Sequence, residues 1–365
     1  MSDIKDFKSK LAQLQKKMPD TLFSSDEADK VYKITFDSPQ LTYAYCGFSY
    51  DRIHHLYGPP SAGKSSICTY IASQLQKKFP ERPIVLYVDF EKSFDVKYAE
   101  KIGLNCDEDH FVLIRAENVE DAFTVVEELV RTEMVCCVIM DSDATAPTRT
   151  ENEDEINKAN FGGGALAFSR ILRRFNTIFS KYKVCCLWIS QERANLAYGA
   201  KLPSVTGGQA VPFYATTRFR ITKLENITGA NNEVIGIRLR CRNYKNKSGV
   251  PYRDAEMELF FDGGFNSENE YLKFIIDFDF IHKAGGWFTM PSNPDFGKIQ
   301  GQEKVAIWLK EHPDVFEDLK SKVLNKLLGQ NELDANNKEP EFESISKDEL
   351  EQMNNSTEND VVEIE

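Results

Sequence analysis

The chain has 365 residues, 41% of them apolar, which suits one large α/β core with small appendages. No apolar run is long enough to cross a bilayer, and the charged start MSDIKDFKSKLAQLQKKM has no signal-peptide core, so neither membrane insertion nor secretion is expected. The net charge of −12 is uneven: residues 331–365 carry twelve acidic and two basic side chains, which leaves the rest near neutral. Eight cysteines occur without CxxC spacing, and the pairs Cys136–Cys137 and Cys185–Cys186 lie in β-branched apolar runs. They read as buried, reduced thiols of a cytosolic protein. The five histidines are scattered and suggest no metal site.

In chain order, residues 4–18 place Ile4, Phe7, Leu11, Leu14 and Met18 at three- and four-residue steps, a helix with one apolar stripe. That stripe either folds back on its own core or docks on a neighbouring subunit. The apolar run 53–57 reads as a strand and 66–79 as a helix. Between them stands GPPSAGKS (Gly58, Pro59, Pro60, Ser61, Ala62, Gly63, Lys64, Ser65), followed by Ser66. Strand, glycine-bearing loop and helix in that order make a Walker A phosphate loop. Gly58 and Gly63 let backbone amides approach a polyphosphate, Lys64 reaches the β- and γ-phosphates, and Ser65 is the expected Mg²⁺ ligand. The chain is therefore expected to bind ATP or GTP.

Further strands are expected at 84–89, 111–115, 135–141 and 184–191, with helices at 119–131 and 165–182 between them. Continuous apolar strands alternating with helices predict an α/β fold, with a mostly parallel sheet covered on both faces. Its ligand edge is the C-terminal end of the strands. Asp141 ends the 135–141 run as a Walker B carboxylate for Mg²⁺, Glu91 follows the 84–89 run as a water-activating base, and Gln191 ends the 184–191 run as a γ-phosphate contact. Each has a plain alternative, a solvated strand-end carboxylate or a turn-capping amide. Two long polar segments, 144–164 and 192–209, spring from the same edge and hold one aromatic each, Phe161 and Tyr198. With Arg170, Arg173 and Arg174 on the helix after the first, they suit single-stranded nucleic acid, by base stacking and phosphate contact. After Thr216 the pattern alternates through Phe261, as in an antiparallel extension. Helices are then expected at 271–284 and 302–328, before a disordered acidic tail.

These motifs carry a resemblance. GPPSAGKSS, YVDFEKSFDVKYAEKIG, VIMDSDA, LWISQER, TGGQAVPFYATTR, RNYKNKSGVPYRDAE, KAGGWFTM and KIQGQEKVAIWLKEHP occur in an order similar to that of the RecA-type homologous recombinases, from about residue 52 to 329. The resemblance implies a RecA-like P-loop ATPase core and a small α+β C-terminal domain. The division it suggests is 1–30 (N-terminal polymerisation helix), 31–266 (core), 267–329 (C-terminal domain) and 330–365 (tail). It implies a DNA-dependent ATPase that polymerises on single-stranded DNA as a helical filament. ATP and Mg²⁺ are the cofactors, and homologous duplex DNA, single-strand-binding and loader proteins are the partners. The location is the cytoplasm of a bacterium or of a phage-infected host, with no membrane partner. The alternative is a hexameric helicase sharing the core.

Residue by residue, the resemblance implies that Glu91, Lys64, Gln191, Lys245 and Lys247 are catalytic, the two late lysines reaching the ATP of the adjacent subunit. Asp95 lies where the family approaches adenine. Phe161, Gly162, Arg173, Arg193, Tyr198, Thr206, Gly207 and Gly208 fall in or beside the two DNA-binding loops (about 152–164 and 192–209), and Phe213 falls at the subunit contact. Five departures mark a divergent member: Phe161 at the first loop's tip, altered spacing in the region of Tyr198, Pro212 for a more usual lysine, Ser190 where Asn is usual, and Asp262 at an often aromatic position near the nucleotide.

Overall fold

The computed structural model of the protein describes residues 2–17, 32–153, 163–193, 204–206, 208 and 210–329. Its elements begin with helix α1 (Ser2–Lys17), strand β1 (Lys33–Ile34), helix α2 (Pro39–Tyr45) and strand β2 (Phe48–Ser49). The alternating stretch is β3 (Ile53–Gly58), α3 (Lys64–Lys78), β4 (Ile84–Asp89), α4 (Val96–Ile102), β5 (Phe111–Ile114), α5 (Val119–Val130) and β6 (Val135–Asp141). Then come α6 (Arg149–Glu153), α7 (Gly163–Lys181), β7 (Cys185–Arg193), β8 (Ser204–Val205) and α8 (Ala210–Tyr214). Strands β9 (Thr217–Thr228), β10 (Val234–Asn246), β11 (Asp254–Phe260) and β12 (Gly264–Phe265) follow. The C-terminal piece holds α9 (Ser267–Asp277), β13 (His282–Ala284), β14 (Trp287–Thr289), β15 (Lys298–Gln300), α10 (Gln302–Glu311) and α11 (Pro313–Leu328).

Among the described residues one sheet dominates, in the order β12-β11-β10-β9-β3-β7-β6-β4-β5, with β8 paired to β7. From β9 to β5 every neighbouring pair is parallel. From β9 to β12 every pair is antiparallel. The α/β class and mostly parallel sheet match the sequence reading. Parallel strands need covered faces, and here both are covered. One apolar layer gathers Leu41, Ile67, Ile71, Leu75 and Cys185, and the other Phe123, Phe175, Phe179, Cys186 and Trp188. Cys185 and Cys186 thus serve opposite faces, as period-two geometry requires. Each fully buried Leu, Ile or Phe in these layers contributes about 1.5–3 kcal/mol.

A third apolar cluster, with Ile275, Val305, Leu309, Phe316 and Val323, sits inside the C-terminal piece. Two elements there differ from expectation. The helix expected at 302–328 is two helices, because Pro313 supplies no backbone N–H and pushes His312 out of helical geometry (φ −125°, ψ 68°). The helix expected at 271–284 runs instead from Ser267 to Asp277, and residues 282–284 pair with β14. The left-handed Asp279 (φ 62°) and the Gly285–Gly286 turn break its period. In α1 the stripe leaves Ile4 and Phe7 65% exposed. That helix therefore does not bury its apolar face on its own core.

Candidate active site

Register places the strand ends together. Gly58 of β3 lies opposite Gln191 of β7, and Asp89 of β4 opposite Asp141 of β6. The phosphate loop therefore starts beside the amide of Gln191, at the edge where open α/β sheets bind ligands.

The loop itself demands its glycines. Gly58 has φ 156°, and a Cβ there would lie 2.1 Å from the carbonyl oxygen of Ile221. Gly63 has φ 88° and caps α3, whose first amides face the loop. Lys64 donates from Nζ to the carbonyls of Gly58 (3.2 Å) and Pro59 (2.7 Å). Burial pulls its ammonium below the ordinary lysine range, against the opposing pull of Asp141 and Glu91. Ser65 Oγ donates to Asp141 Oδ2 at 2.6 Å, and Tyr87 donates its hydroxyl to the same oxygen at 2.6 Å. Burial raises the Asp141 carboxyl, and these two donors hold it back down. The peptide between Asp141 and Ser142 is cis. A hydroxyl and a desolvated carboxylate side by side are hard oxygen donors, the set Mg²⁺ prefers.

Glu91 accepts two hydrogen bonds on Oε1, from Ser142 Oγ (2.6 Å) and from Gln191 Nε2 (2.7 Å). A cavity of about 380 Å³ collects these groups: Pro60 to Ser66, Glu91, Tyr98, Asp141, Gln191, Ile237 and Leu259 of the antiparallel strands, and Phe261 of the turn after β11. Asp95 instead caps α4, accepting from the backbone N–H of Tyr98 at 3.1 Å. Asp262 points away from the cavity, its side chain 96% exposed and paired with Lys101 at 2.7 Å. The aromatic that lines the site is its neighbour Phe261, so the sequence reading was one residue out.

The second group of expected residues stands at the far side of β9 and β10. Lys245 donates from Nζ to the carbonyls of Pro212 (2.7 Å) and Phe213 (3.1 Å). Phe213 is 71% exposed, the most exposed large apolar side chain among the described residues, and Lys247 is exposed beside it. Lys245 and Lys247 do not line the phosphate-loop cavity of their own protomer.

At the loop roots, Thr206 and Gln191 bond reciprocally: Gln191 N donates to Thr206 Oγ1 (3.0 Å) and Thr206 N to Gln191 O (3.1 Å). Arg220 grips Glu192 with two bonds, 2.6 and 3.0 Å. Arg170 and Arg173 are exposed on α7, whereas Arg174 pairs with Glu127 at 2.6 Å. Gly208 has φ 69°. Arg193 ends β7. Phe161, Gly162, Tyr198 and Gly207 lie outside the described residues, as does the acidic tail. Sequence reasoning missed Asp143, His55 and Arg218, which link the loop root to β9. The only signal for them was a pair of histidines inside an otherwise apolar strand.

Comparison with known proteins identifies the family of the chain. A family model for the RecA N-terminal domain matches residues 10–266, and one for the RecA C-terminal domain matches 270–328. Protein RecA 2 of Myxococcus xanthus is 32% identical over 276 residues, 75% of each chain. Protein RecA of Thermus thermophilus is 31% identical over 286 residues, 77% of this chain and 80% of that one. Protein RecA of Listeria monocytogenes serotype 4a is 30% identical over 296 residues, 80% of this chain and 81% of that one. Agreement over both domains disfavours the hexameric helicase. The chain belongs to the RecA family of recombinases and is a DNA-dependent ATPase.

Proposed function

We propose that this recombinase binds ATP in the 380 Å³ cavity and that Lys245 and Lys247 of an adjacent subunit complete the site. The observation that carries the reading is the convergence of Lys64, Ser65, Asp141, Glu91 and Gln191 on one cavity, which the two late lysines do not line. A site finished in trans makes hydrolysis depend on polymerisation, and bound nucleotide then stabilises the filament.

The protein's own groups divide the work. Backbone amides at the α3 N-terminus cradle phosphate oxygens, and Lys64 exchanges its carbonyl partners for them. Ser65 and Asp141 are the groups that would hold Mg²⁺, which when bound neutralises charge on the phosphates. Glu91 orients and deprotonates the attacking water. Gln191 exchanges Glu91 for the terminal phosphate and, through Thr206, orders the segment that follows β7. Phe261 supplies apolar surface beside the nucleotide, and Asp95 shapes the approach to its base by fixing α4.

The segments at about 152–164 and 192–209, with Phe161, Gly162, Arg173, Arg193, Tyr198, Thr206, Gly207 and Gly208, grip single-stranded DNA mainly by its backbone. The bases stay free to pair with a homologous duplex, so sequence recognition belongs to base pairing. Phe213 seats in the neighbouring subunit. The domain division at 30, 266 and 329, a cytoplasmic site of action, and dependence on single-strand-binding and loader proteins belong to the same reading. The acidic tail competes with duplex DNA for the protein's DNA-binding groups, so deleting residues 331–365 should speed duplex capture and reduce its salt sensitivity. D-loop formation with homologous and heterologous oligonucleotides tests the function: product with the homologous strand alone supports it, and no product with either refutes it.

A further inference from the structure

A buried polar chain runs from the start of β9, an interior strand of the sheet, to the root of the segment after β7. At one end Arg218 donates from Nε to His55 Nδ1 at 3.2 Å, and its guanidinium lies 4.9 Å from the centre of the Tyr57 ring. Arginine has no acceptor, so Nδ1 accepts and the imidazole proton sits on Nε2. His55 Nε2 donates to Ser190 Oγ at 2.9 Å, and Ser190 donates to Asp143 Oδ2 at 2.5 Å. Trp188 adds a second donor to that oxygen at 2.9 Å, while Thr206 Oγ1 donates to Asp143 Oδ1 at 2.5 Å. Every donor in the series points toward Asp143, a cation at one end and a carboxylate at the other.

The chain has no slack. His55 and Ser190 are fully buried and Asp143 is 6% exposed, so a broken link leaves a polar group without water. Burial, helped by the charges of Arg218 and Lys245, holds the His55 imidazole well below its ordinary range, which keeps it a neutral relay. Both ends meet groups already given work. Arg218 lies opposite Lys245 in the β9–β10 ladder, and Lys245 holds the backbone of Phe213. Thr206 holds Gln191, whose amide reaches Glu91.

We propose that Asp143, Ser190 and His55 are positioning residues that tie the Gln191–Thr206 loop root to the Arg218–Lys245 subunit edge, so that nucleotide sensing and subunit contact shift together. This rests on the reading that Gln191 senses the nucleotide and the β9–β10 edge meets the next subunit. Such a buried chain has two ends, each biased by a different ligand, which is what energetic coupling requires.

The test uses the full-length protein and a fluorescent poly(dT) oligonucleotide. The readout is the ratio of its affinities in a slowly hydrolysed ATP analogue and in ADP. Ser190→Ala removes the middle link with little change of volume, and His55→Phe removes the relay. Both should lower that ratio about threefold to thirtyfold while leaving nucleotide affinity without DNA near parental. His55→Gln, which can still accept from Arg218 and donate to Ser190, should restore most of it. A folded Ser190→Ala protein with the parental ratio overturns the proposal, as does a parallel fall in DNA-free nucleotide affinity, the mark of a merely structural role. A parental protein whose DNA binding ignores the nucleotide overturns both the proposal and the function it rests on.

Discussion

The two halves of the main sheet do different work. In the parallel half, strands buried on both faces end in one cavity, and each functional side chain there has a partner inside the protomer: Lys64 with Pro59, Ser65 with Asp141, Gln191 with Glu91. In the antiparallel half, one face carries half-exposed cross-strand pairs such as Arg238–Glu258 (2.9 Å) and Arg240–Glu256 (2.6 Å). Such pairs keep register and solubility and add little stability. Beside the end of that half Phe213 and Lys247 are exposed, and Lys245 is half-buried against the carbonyls of Pro212 and Phe213. Chemistry is assembled where the core is deep, and the proposed dependence on a neighbour lies where it is shallow.

Breaking the deep half should have the largest effects. Lys64→Ala should abolish ATP-dependent DNA binding and lower DNA-stimulated hydrolysis by about a thousandfold, read by phosphate release and oligonucleotide anisotropy. Parental hydrolysis in that variant would remove Lys64 from the phosphate site. Glu91→Gln should still bind ATP and DNA while turnover falls about a hundredfold to ten-thousandfold. If single-turnover hydrolysis proceeds at the parental rate, another group is the base.

The shallow half gives a pH signature. Burial first, then the charges of Lys247 and Arg218, brings the Lys245 ammonium down to about 8. In the proposed shared site, phosphates arriving from a neighbour favour its charged form, so assembly above that pH takes up a proton. Filament formation with a slowly hydrolysed ATP analogue should therefore weaken above pH 8, by up to about tenfold per pH unit, and Lys245→Arg should flatten the curve. A profile that Lys245→Arg leaves unchanged would assign the titration elsewhere.

The smallest effect lies outside both halves. Glu270 accepts from Ser38 Oγ (2.5 Å) and Gln40 N (3.3 Å), joining α9 to α2, and burial raises its carboxyl to about 8. The folded chain keeps this proton between the ordinary value of 4.5 and about 8, where the unfolded chain has lost it. Its stabilising contribution is thus whole below the lower value and gone once pH passes the upper one. Glu270→Gln should shrink the drop in Tm from pH 6 to 9 by about 2–4 °C, measured by calorimetry. An unchanged drop would place the lost proton on another group.

What was legible in the sequence follows the same division. Gly58 to Ser65, Asp141, Glu91 and Gln191 are strand-end signals, readable because each strand is a continuous apolar run that stops where its chemistry begins. The slip between Asp262 and Phe261 came in the turn just after β11, where the strand's alternation no longer says which side chain faces the site. Of the buried chain only the paired histidines of β3 were legible. Its links join positions 47, 135 and 163 residues apart, and only the parallel register of β3 with β7 and β9 brings them together.

Mixing two inactive proteins tests the seam most directly. Glu91→Gln keeps Lys245, and Lys245→Ala keeps Glu91. If the site spans two subunits, an equal mixture on single-stranded DNA contains intact sites at about one junction in four and should regain up to about a quarter of parental hydrolysis. If both residues serve the same protomer's site, no mixture can restore activity, and a mixture as inactive as its components would contradict the account.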